Sequence, residues 1–298
     1  MKNPIFDIEN WKEIFTTLSR NKTRTFLTAF GIFWGTAMLG MLLGGAKGME
    51  NIMRAQFEGF ATNTAFVISN RTSMPYNGFK KGNSWDMTWT DVNNIRRIPG
   101  IKTVSANNSR WGVQAVYEQK HTSTQIQGVE PAYVHINEPI IYSGRFINEA
   151  DEATSRKVCV IGKRVASDLF GTDSPLGKNI AVNGIYYKVV GVCGSRSDIN
   201  INGNLDEGIC IPLKTMQQAY NMGDRVELLM MLAEDGTRFA DLRPRIEHTI
   251  RQNHPIHPED KKAIWFIDIS EQFEMVDNLF IGLSLLAGFV GAGTLLAG

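Results

Sequence analysis

Two long segments without a single charged residue limit the architecture of this chain more than any other feature. The first runs from Phe26 to Ala46, FLTAFGIFWGTAMLGMLLGGA, and contains 21 residues. As a helix it spans about 31 Å, which matches a hydrocarbon core of roughly 30 Å. The second runs from Leu279 to Gly298, LFIGLSLLAGFVGAGTLLAG, with 20 residues. The core helix of a water-soluble protein seldom needs so long an unbroken apolar run. A cleaved leader fits the first segment poorly. It begins only at residue 26, exceeds the usual apolar length of roughly 7–15 residues, and has no A-x-A-like site close behind it.

Basic residues orient the chain. Lys12, Arg20, Lys22 and Arg24 precede the first segment, whereas only Lys47 follows at once. The positive-inside rule places the N-terminus in the cytoplasm. Residues 48–278 then lie outside, in the periplasm of a Gram-negative cell, and the second segment returns to the membrane. The chain stops at Gly298 without a polar flank, as expected for a piece of a longer protein.

The flanking sequence extends this frame. In Asp7–Leu18 the apolar residues Ile8, Trp11, Ile14, Phe15 and Leu18 are spaced 3, 3, 1 and 3, a helical stripe. Trp11, Ile14, Phe15 and Leu18 are predicted to lie in the membrane interface, with Trp11 at headgroup level; the alternative is packing on a soluble partner. Met49, Ile52, Met53, Gln56, Phe57 and Phe60 keep helical spacing beyond the first span, and Ile269, Phe273, Val276 and Phe280 do so before the second. These are predicted stalk extensions able to pack as a pair. Gly31 with Gly35, and Gly40 with Gly44, form G-x-x-x-G pairs, and the second span carries Gly288 and Gly291. Small residues at such spacing let membrane helices approach closely, although glycine is also simply common there. These six glycines are the predicted helix-packing positions.

Between the stalks the sequence alternates strand and helix signals. Thr64–Asn70 reads as a strand, 71–87 as a loop, and 90–98 as a short helix with Thr90 as N-cap. Val104–Val129 reads as strands, 157–161 as a strand, 164–170 as a helix, and 180–192 as a hairpin turned at Asn183-Gly184. A strand at 208–213, a helix at 214–220, a strand at 226–232, a helix at 238–252 interrupted by Pro244 and a strand at 263–269 complete the series. The predicted fold class is an α+β extracytoplasmic domain of two subdomains, flanked by transmembrane helices with stalks. The expected division is 1–21 cytoplasmic amphipathic helix, 22–60 first span and stalk, 61–269 outer domain, and 270–298 stalk and second span. Within the outer domain, 61–130 and 221–269 form one subdomain and 131–220 is a β-rich insertion.

Chemistry-bearing motifs are weak. Gly171–Asn179, GTDSPLGKN, has five residues between its glycines where a phosphate-binding loop has four, lacks the Ser/Thr hydroxyl, and follows a helix. His254-Pro255-Ile256-His257 places two imidazoles three apart, but a metal needs three or four ligands and none joins them; a solvated loop is the plainer reading. Cys159, Cys193 and Cys210 lie in strand-like runs and read as buried thiols, with Cys193 and Cys210 the likelier pair if one disulfide forms. No Ser/His/Asp or Cys/His set carries a local signature. No catalytic, cofactor-binding or metal-binding residue is expected. The net charge of +1 gives no footprint for nucleic acid.

Several ordered blocks resemble one family. RNKTRTFLTAFGIFWGTAML (20–39) resembles the first membrane segment of MacB/FtsX-type ABC transporter permeases. Gly144-Arg145-Phe146 with Asp151-Glu152, RKVCVIGKRVASDLFG (156–171), PLGKNIAVNGIYYKVVGV (175–192) and IPLKTMQ (211–217) resemble its outer domain, and 276–298 its second membrane helix. These blocks read as fold-determining residues. The resemblance implies a permease with four membrane helices, two of them beyond this chain. It implies a dimer, or pairing with a related permease, and a cytoplasmic ABC ATPase, separate or fused, that binds the ATP. It also implies a periplasmic adaptor or other periplasmic protein as partner. Its work would be export, lipoprotein release or mechanotransmission, with no enzyme activity of its own. The alternative is a membrane-bound sensor with an extracytoplasmic ligand-binding domain, which shares the span–domain–span layout.

Overall fold

The structure is a computed structural model that describes residues 16, 22–57, 63–196, 202–271, 278–283, 285–286 and 288–289. It divides into two units: residues 1–54 with 274–298, and residues 55–273.

Helix α1 runs Lys22–Phe57, most of it in the first unit. Its stretch Thr25–Met49 is long and apolar enough to cross a membrane, and none of that stretch is buried within the chain. Phe26, Phe30 and Trp34 stack in turn, one helical turn apart, with ring centroids 6.1 and 6.0 Å apart. All three face outward with Leu27, Phe33 and Met41. So many large apolar side chains on one helix surface fit an apolar solvent. α1 continues eleven residues past the uncharged run to Phe57, as the stalk expectation requires. The described residues of the second apolar segment are helical, and Leu279, Ile281, Leu285, Leu286 and Phe289 are exposed.

The second unit is built on one mixed sheet. Its elements in chain order are β1 (Thr64–Ser69), β2 (Met87–Thr88), α2 (Trp89–Ile95), β3 (Ile101–Tyr117), β4 (Lys120–Val129), α3 (Val134–Asn137) and β5 (Ile140–Gly144). There follow α4 (Glu149–Ala153), β6 (Val158–Gly162), α5 (Lys163–Phe170), β7 (Asn179–Val182), β8 (Ile185–Gly194), β9 (Gly208–Pro212) and α6 (Leu213–Ala219). The last are β10 (Arg225–Val226), β11 (Leu228–Ala233), α7 (Phe239–Asn253) and β12 (Ile264–Asp268). The strand order is β12-β1-β11-β3-β4-β9-β6-β8-β5, with β7 pairing both β3 and β8. The pairs β4–β9 and β6–β8 are parallel, and β2 with β10 makes a separate ribbon.

Side-chain alternation divides the core. Ala65 and Val67 of β1 join Val104, Ala106, Leu229 and Met231 under α2 and α7, which contribute Val92, Ile95, Leu242, Ile246 and Ile250. Phe66 points the other way, to Leu228, Met230, Tyr133, Ile136 and Phe146. This is the period-2 geometry of a strand buried on both faces. A third cluster packs α5 and α6 on Val113, Ala115, Ile126, Ile161, Ile180, Tyr187 and Val189.

Strand β3 serves two clusters because it is bent. Its register to β4 shifts between Arg110 and Val113, so Trp111 and Gly112 together oppose one residue, Gln125. Such a bulge turns the strand and re-aims its side chains. The residues before it feed the cluster under α2 and α7, and Val113 and Ala115 after it feed the cluster under α5 and α6.

Element boundaries mostly follow the sequence signals. The Asn183-Gly184 turn is present, with φ of 48° and 80° and Val182 paired to Ile185. The N-cap of α2 is Thr88 instead of Thr90. Asp91, three residues on, accepts from the Thr88 backbone N–H at 2.8 Å, and this reciprocal pairing fixes the start two residues earlier.

Candidate functional site

The six glycines predicted to pack membrane helices are placed unevenly. Among the described residues, an added Cβ at Gly31, Gly40, Gly44 or Gly288 would meet no atom within 4 Å outside its sequence neighbours and its own helix backbone. Gly35 is half-buried, and Gly291 lies outside the described residues. Trp11, Ile14, Phe15 and Leu18 also lie outside them, as do Phe60, Phe273 and Val276 of the stalks.

The Gly-Arg-Phe block closes a tight crossing. Gly144 ends β5 with φ +73°, and a Cβ there would run into the Val190 carbonyl oxygen. Only glycine fits both the backbone angle and the approach. Arg145 then donates its backbone N–H to Val190 at 3.0 Å and its guanidinium to Asp151, with Nη2 3.1 Å from Oδ1. Asp151 is fully buried and is also approached by Arg156 at 3.6 Å. Burial alone would raise its pKa, but Arg145, the Asn148 backbone N–H and Arg156 outweigh it and hold the carboxyl below the usual range. Asn148 and Asp151 cap α4 reciprocally. These residues set the fold, as the sequence pattern implied.

Glu152, the neighbour in the same block, is different. It is 6% exposed, and its Oε1 accepts the Lys214 backbone N–H at the start of α6 at 3.1 Å. Its Oε2 is buried without a hydrogen-bond partner among the described residues. Burial pushes its pKa up to about 7, and the nearby Glu130 adds to this against the bonds from α6. Glu130 in turn is clamped: Arg96 Nη2 lies 2.7 Å from both carboxylate oxygens, and the Ala106 backbone N–H donates at 2.7 Å. Arg96, next to the end of α2, thus holds the Glu130 charge that disfavours ionisation of Glu152 at the start of α6.

His254 is not in a solvated loop. Its Nε2 lies 2.7 Å from Asp91 Oδ2, and Asn253 Nδ2 donates to Oδ1 at 2.8 Å. The His254 ring also packs on Trp85 with centroids 4.8 Å apart. Burial would raise the pKa of Asp91, but His254, Asn253 and the Thr88 N–H together hold it below the usual carboxylate range. The end of α7 is thereby tied to the start of α2. His257 instead accepts the Glu259 backbone N–H at 3.1 Å and meets Tyr76 edge-on. Among the described residues no group of three or more His, Cys, Asp or Glu side chains could hold a metal.

The three cysteines are free and buried. Cys193 of β8 pairs beside Gly162 of β6, and Cys210 of β9 beside Val160 of β6. With β6 between them, two strand spacings of about 4.8 Å exceed the roughly 7 Å that a disulfide spans between Cα atoms. Burial pushes the Cys193 thiol up to about 12 and raises Cys159 and Cys210 as well, so none is a ready nucleophile.

An apolar helix long enough to cross a membrane, joined to an α+β sheet domain, defines a membrane-anchored chain with a folded extracytoplasmic domain. Residues 25–249 match the model of the MacB-like periplasmic core domain, and the chain belongs to that family. The match begins inside α1, so the apolar helix is part of the shared region. The chain is 26% identical over 98% of its length to the macrolide export ATP-binding/permease protein MacB of Bdellovibrio bacteriovorus, of which it spans 45%. It is 23% identical over 95% of its length to the uncharacterized ABC transporter permease YknZ of Bacillus subtilis, of which it spans 72%. The periplasmic region of MacB from Actinobacillus actinomycetemcomitans shares the fold, with a TM-score of 0.59 at 20% identity over 74% of this chain and 96% of that one. The chain spans less than half the length of its MacB relative.

Proposed function

We propose that this chain is part of an ABC-type permease subunit that converts ATP hydrolysis by a cytoplasmic partner into movement of its outer domain. One observation carries the reading. β1 and β12 are adjacent antiparallel strands, and Ala65 at the start of β1 pairs with Asp268 at the end of β12. The chain therefore enters and leaves the outer domain side by side at one end of the sheet. Force delivered through α1 and through the segment after β12 acts on two neighbouring strands, and the hydrogen-bonded sheet carries it onward. A receptor with separable ligand domain needs no such coupled attachment.

The two-subdomain division belongs to this reading, with the cluster under α2 and α7 nearest the attachment point and the cluster under α5 and α6 beyond the β3 bulge. So do a cytoplasmic N-terminus, an inner-membrane location with the domain in the periplasm, and an interfacial helix carrying Trp11, Ile14, Phe15 and Leu18. Gly31, Gly35, Gly40, Gly44, Gly288 and Gly291 serve close packing with further spans or a second subunit. ATP is bound by the partner, and this chain needs no cofactor. A periplasmic adaptor or substrate meets the outer domain. The test is reconstitution of the full-length subunit with its cognate ATPase. Stable association and a changed ATPase rate are expected; neither occurring refutes the proposal.

A further inference from the structure

We infer that the outer domain holds a small-molecule site for a zwitterion of dipeptide size, at the end of the sheet where the chain enters. A cavity of about 480 Å³ lies there, lined by Asn63, Lys102, Thr103, His135, Glu138 and Asp235 over a small apolar floor of Leu232 and Ala233. That volume falls within the range of roughly 300–1,000 Å³ typical of ligand pockets. A largely polar lining selects a polar ligand.

Charge decides its class. The cavity presents a lysine ammonium with an imidazole, and two carboxylates. Among the described residues none of Lys102, His135, Glu138 and Asp235 makes a side-chain hydrogen bond or ion pair with another group of the protein. Elsewhere in this domain arginines and carboxylates pair readily, as at Arg145–Asp151 and Arg96–Glu130. Opposite charges that line one concavity but stay unpaired suit a ligand bearing one anionic and one cationic group, each meeting its complement. The backbone is shaped to present them. Leu232 pairs with Thr103 but Ala233 with Ile101, so Lys102 is the extra residue of a β-bulge, a device that re-aims a side chain. Glu138 closes α3 in the left-handed region at φ 37°, an uncommon place for a residue with a side chain. Asp235 is held in the turn closed by Thr237 N–H donating to Glu234 at 3.0 Å, and Asn63 Nδ2 bonds the carbonyls of Glu234 and Thr237. The site stands whether or not the chain works as a permease.

The test uses the full chain in lipid nanodiscs and saturation-transfer NMR, which detects weak binding. Three probes are compared: glycylglycine, N-acetylglycylglycine with only the anionic end, and glycylglycinamide with only the cationic end. Glycylglycine should bind about three- to fivefold more tightly than either blocked form, the value of one exposed ion pair. Lys102→Met should weaken glycylglycine and leave glycylglycinamide unchanged. Asp235→Asn with Glu138→Gln should weaken glycylglycine and leave the acetylated form unchanged. The substituted side chains are exposed, so folding is not at stake. Equal affinity for all three probes, indifference to the substitutions, or no saturable binding would overturn the inference.

Discussion

Replacing Glu152 by glutamine should make the outer domain more stable at alkaline pH and leave it unchanged in acid. Glu152 is buried, has one oxygen without a hydrogen-bond partner among the described residues and faces Glu130, so its carboxyl titrates near 7 in the fold against 4.5 for the free group. A raised folded pKa means that the native state binds the proton more tightly than the unfolded chain does. The full contribution is present below about pH 4.5 and is lost as pH rises toward and through 7. A shift of about 2.5 units corresponds to about 3 kcal/mol as an upper bound. Glutamine keeps the shape, can still accept the Lys214 N–H, and has no charge to desolvate. The assay is urea unfolding of the full chain in detergent, followed by tryptophan fluorescence, at pH 5 and pH 8.5. The wild type should lose up to about 3 kcal/mol between these values through this group, and Glu152→Gln should lose correspondingly less. The two proteins should differ by less than about 1 kcal/mol at pH 5 and converge below pH 4.5. Parallel pH profiles would refute the assignment of Glu152 as the titrating group.

Three further outcomes follow from the same contacts. Asp91→Asn removes the charged partner of His254 and weakens the cap of α2, so it should cost about 3 kcal/mol in the same unfolding assay. Because the Asp91 pKa is depressed in the fold, that loss should shrink only as pH falls below 3.8 through the folded value; an unchanged midpoint at pH 7 would contradict the contact. Cys159, Cys193 and Cys210 should resist a thiol-reactive maleimide until denaturant is added, and mass spectrometry without reductant should find no Cys193–Cys210 bridge. Gly144→Ala should destabilise the domain strongly, because the new methyl meets the Val190 carbonyl; wild-type stability would mean the crossing is looser than described.

Much of the scaffold was legible because its signals are local. The hairpin at Asn183-Gly184 depends on residues next to each other. The length of the apolar runs needs no tertiary context. Illegible features depend on distant partners. His254 looked like part of a solvated, proline-broken loop, yet 163 residues separate it from the carboxylate that holds it. The Thr88-x-x-Asp91 spacing was the available signal, but Thr90 competed for the same role. Strand β3 read as a series of strands, although the isolated Gly112, with φ 67°, was the available signal that one ladder continues through a bulge. The elevated pKa of Glu152 arises from burial and from the charge of Glu130, which no spacing encodes. The block Gly144–Glu152 was recognised as fold-determining, and Arg145–Asp151 explains why.

The coupling of ATP hydrolysis to outer-domain movement is tested most directly by distances in the working assembly. Trp265 on the edge strand β12 is exposed and can be replaced by a spin-labelled cysteine, while the native thiols are buried. The full-length labelled subunit, reconstituted with its ATPase, is measured by pulsed electron resonance with and without ATP and vanadate. The account predicts that the inter-label distance distribution shifts when nucleotide is trapped. An identical distribution in both states, with the ATPase bound and active, would contradict it.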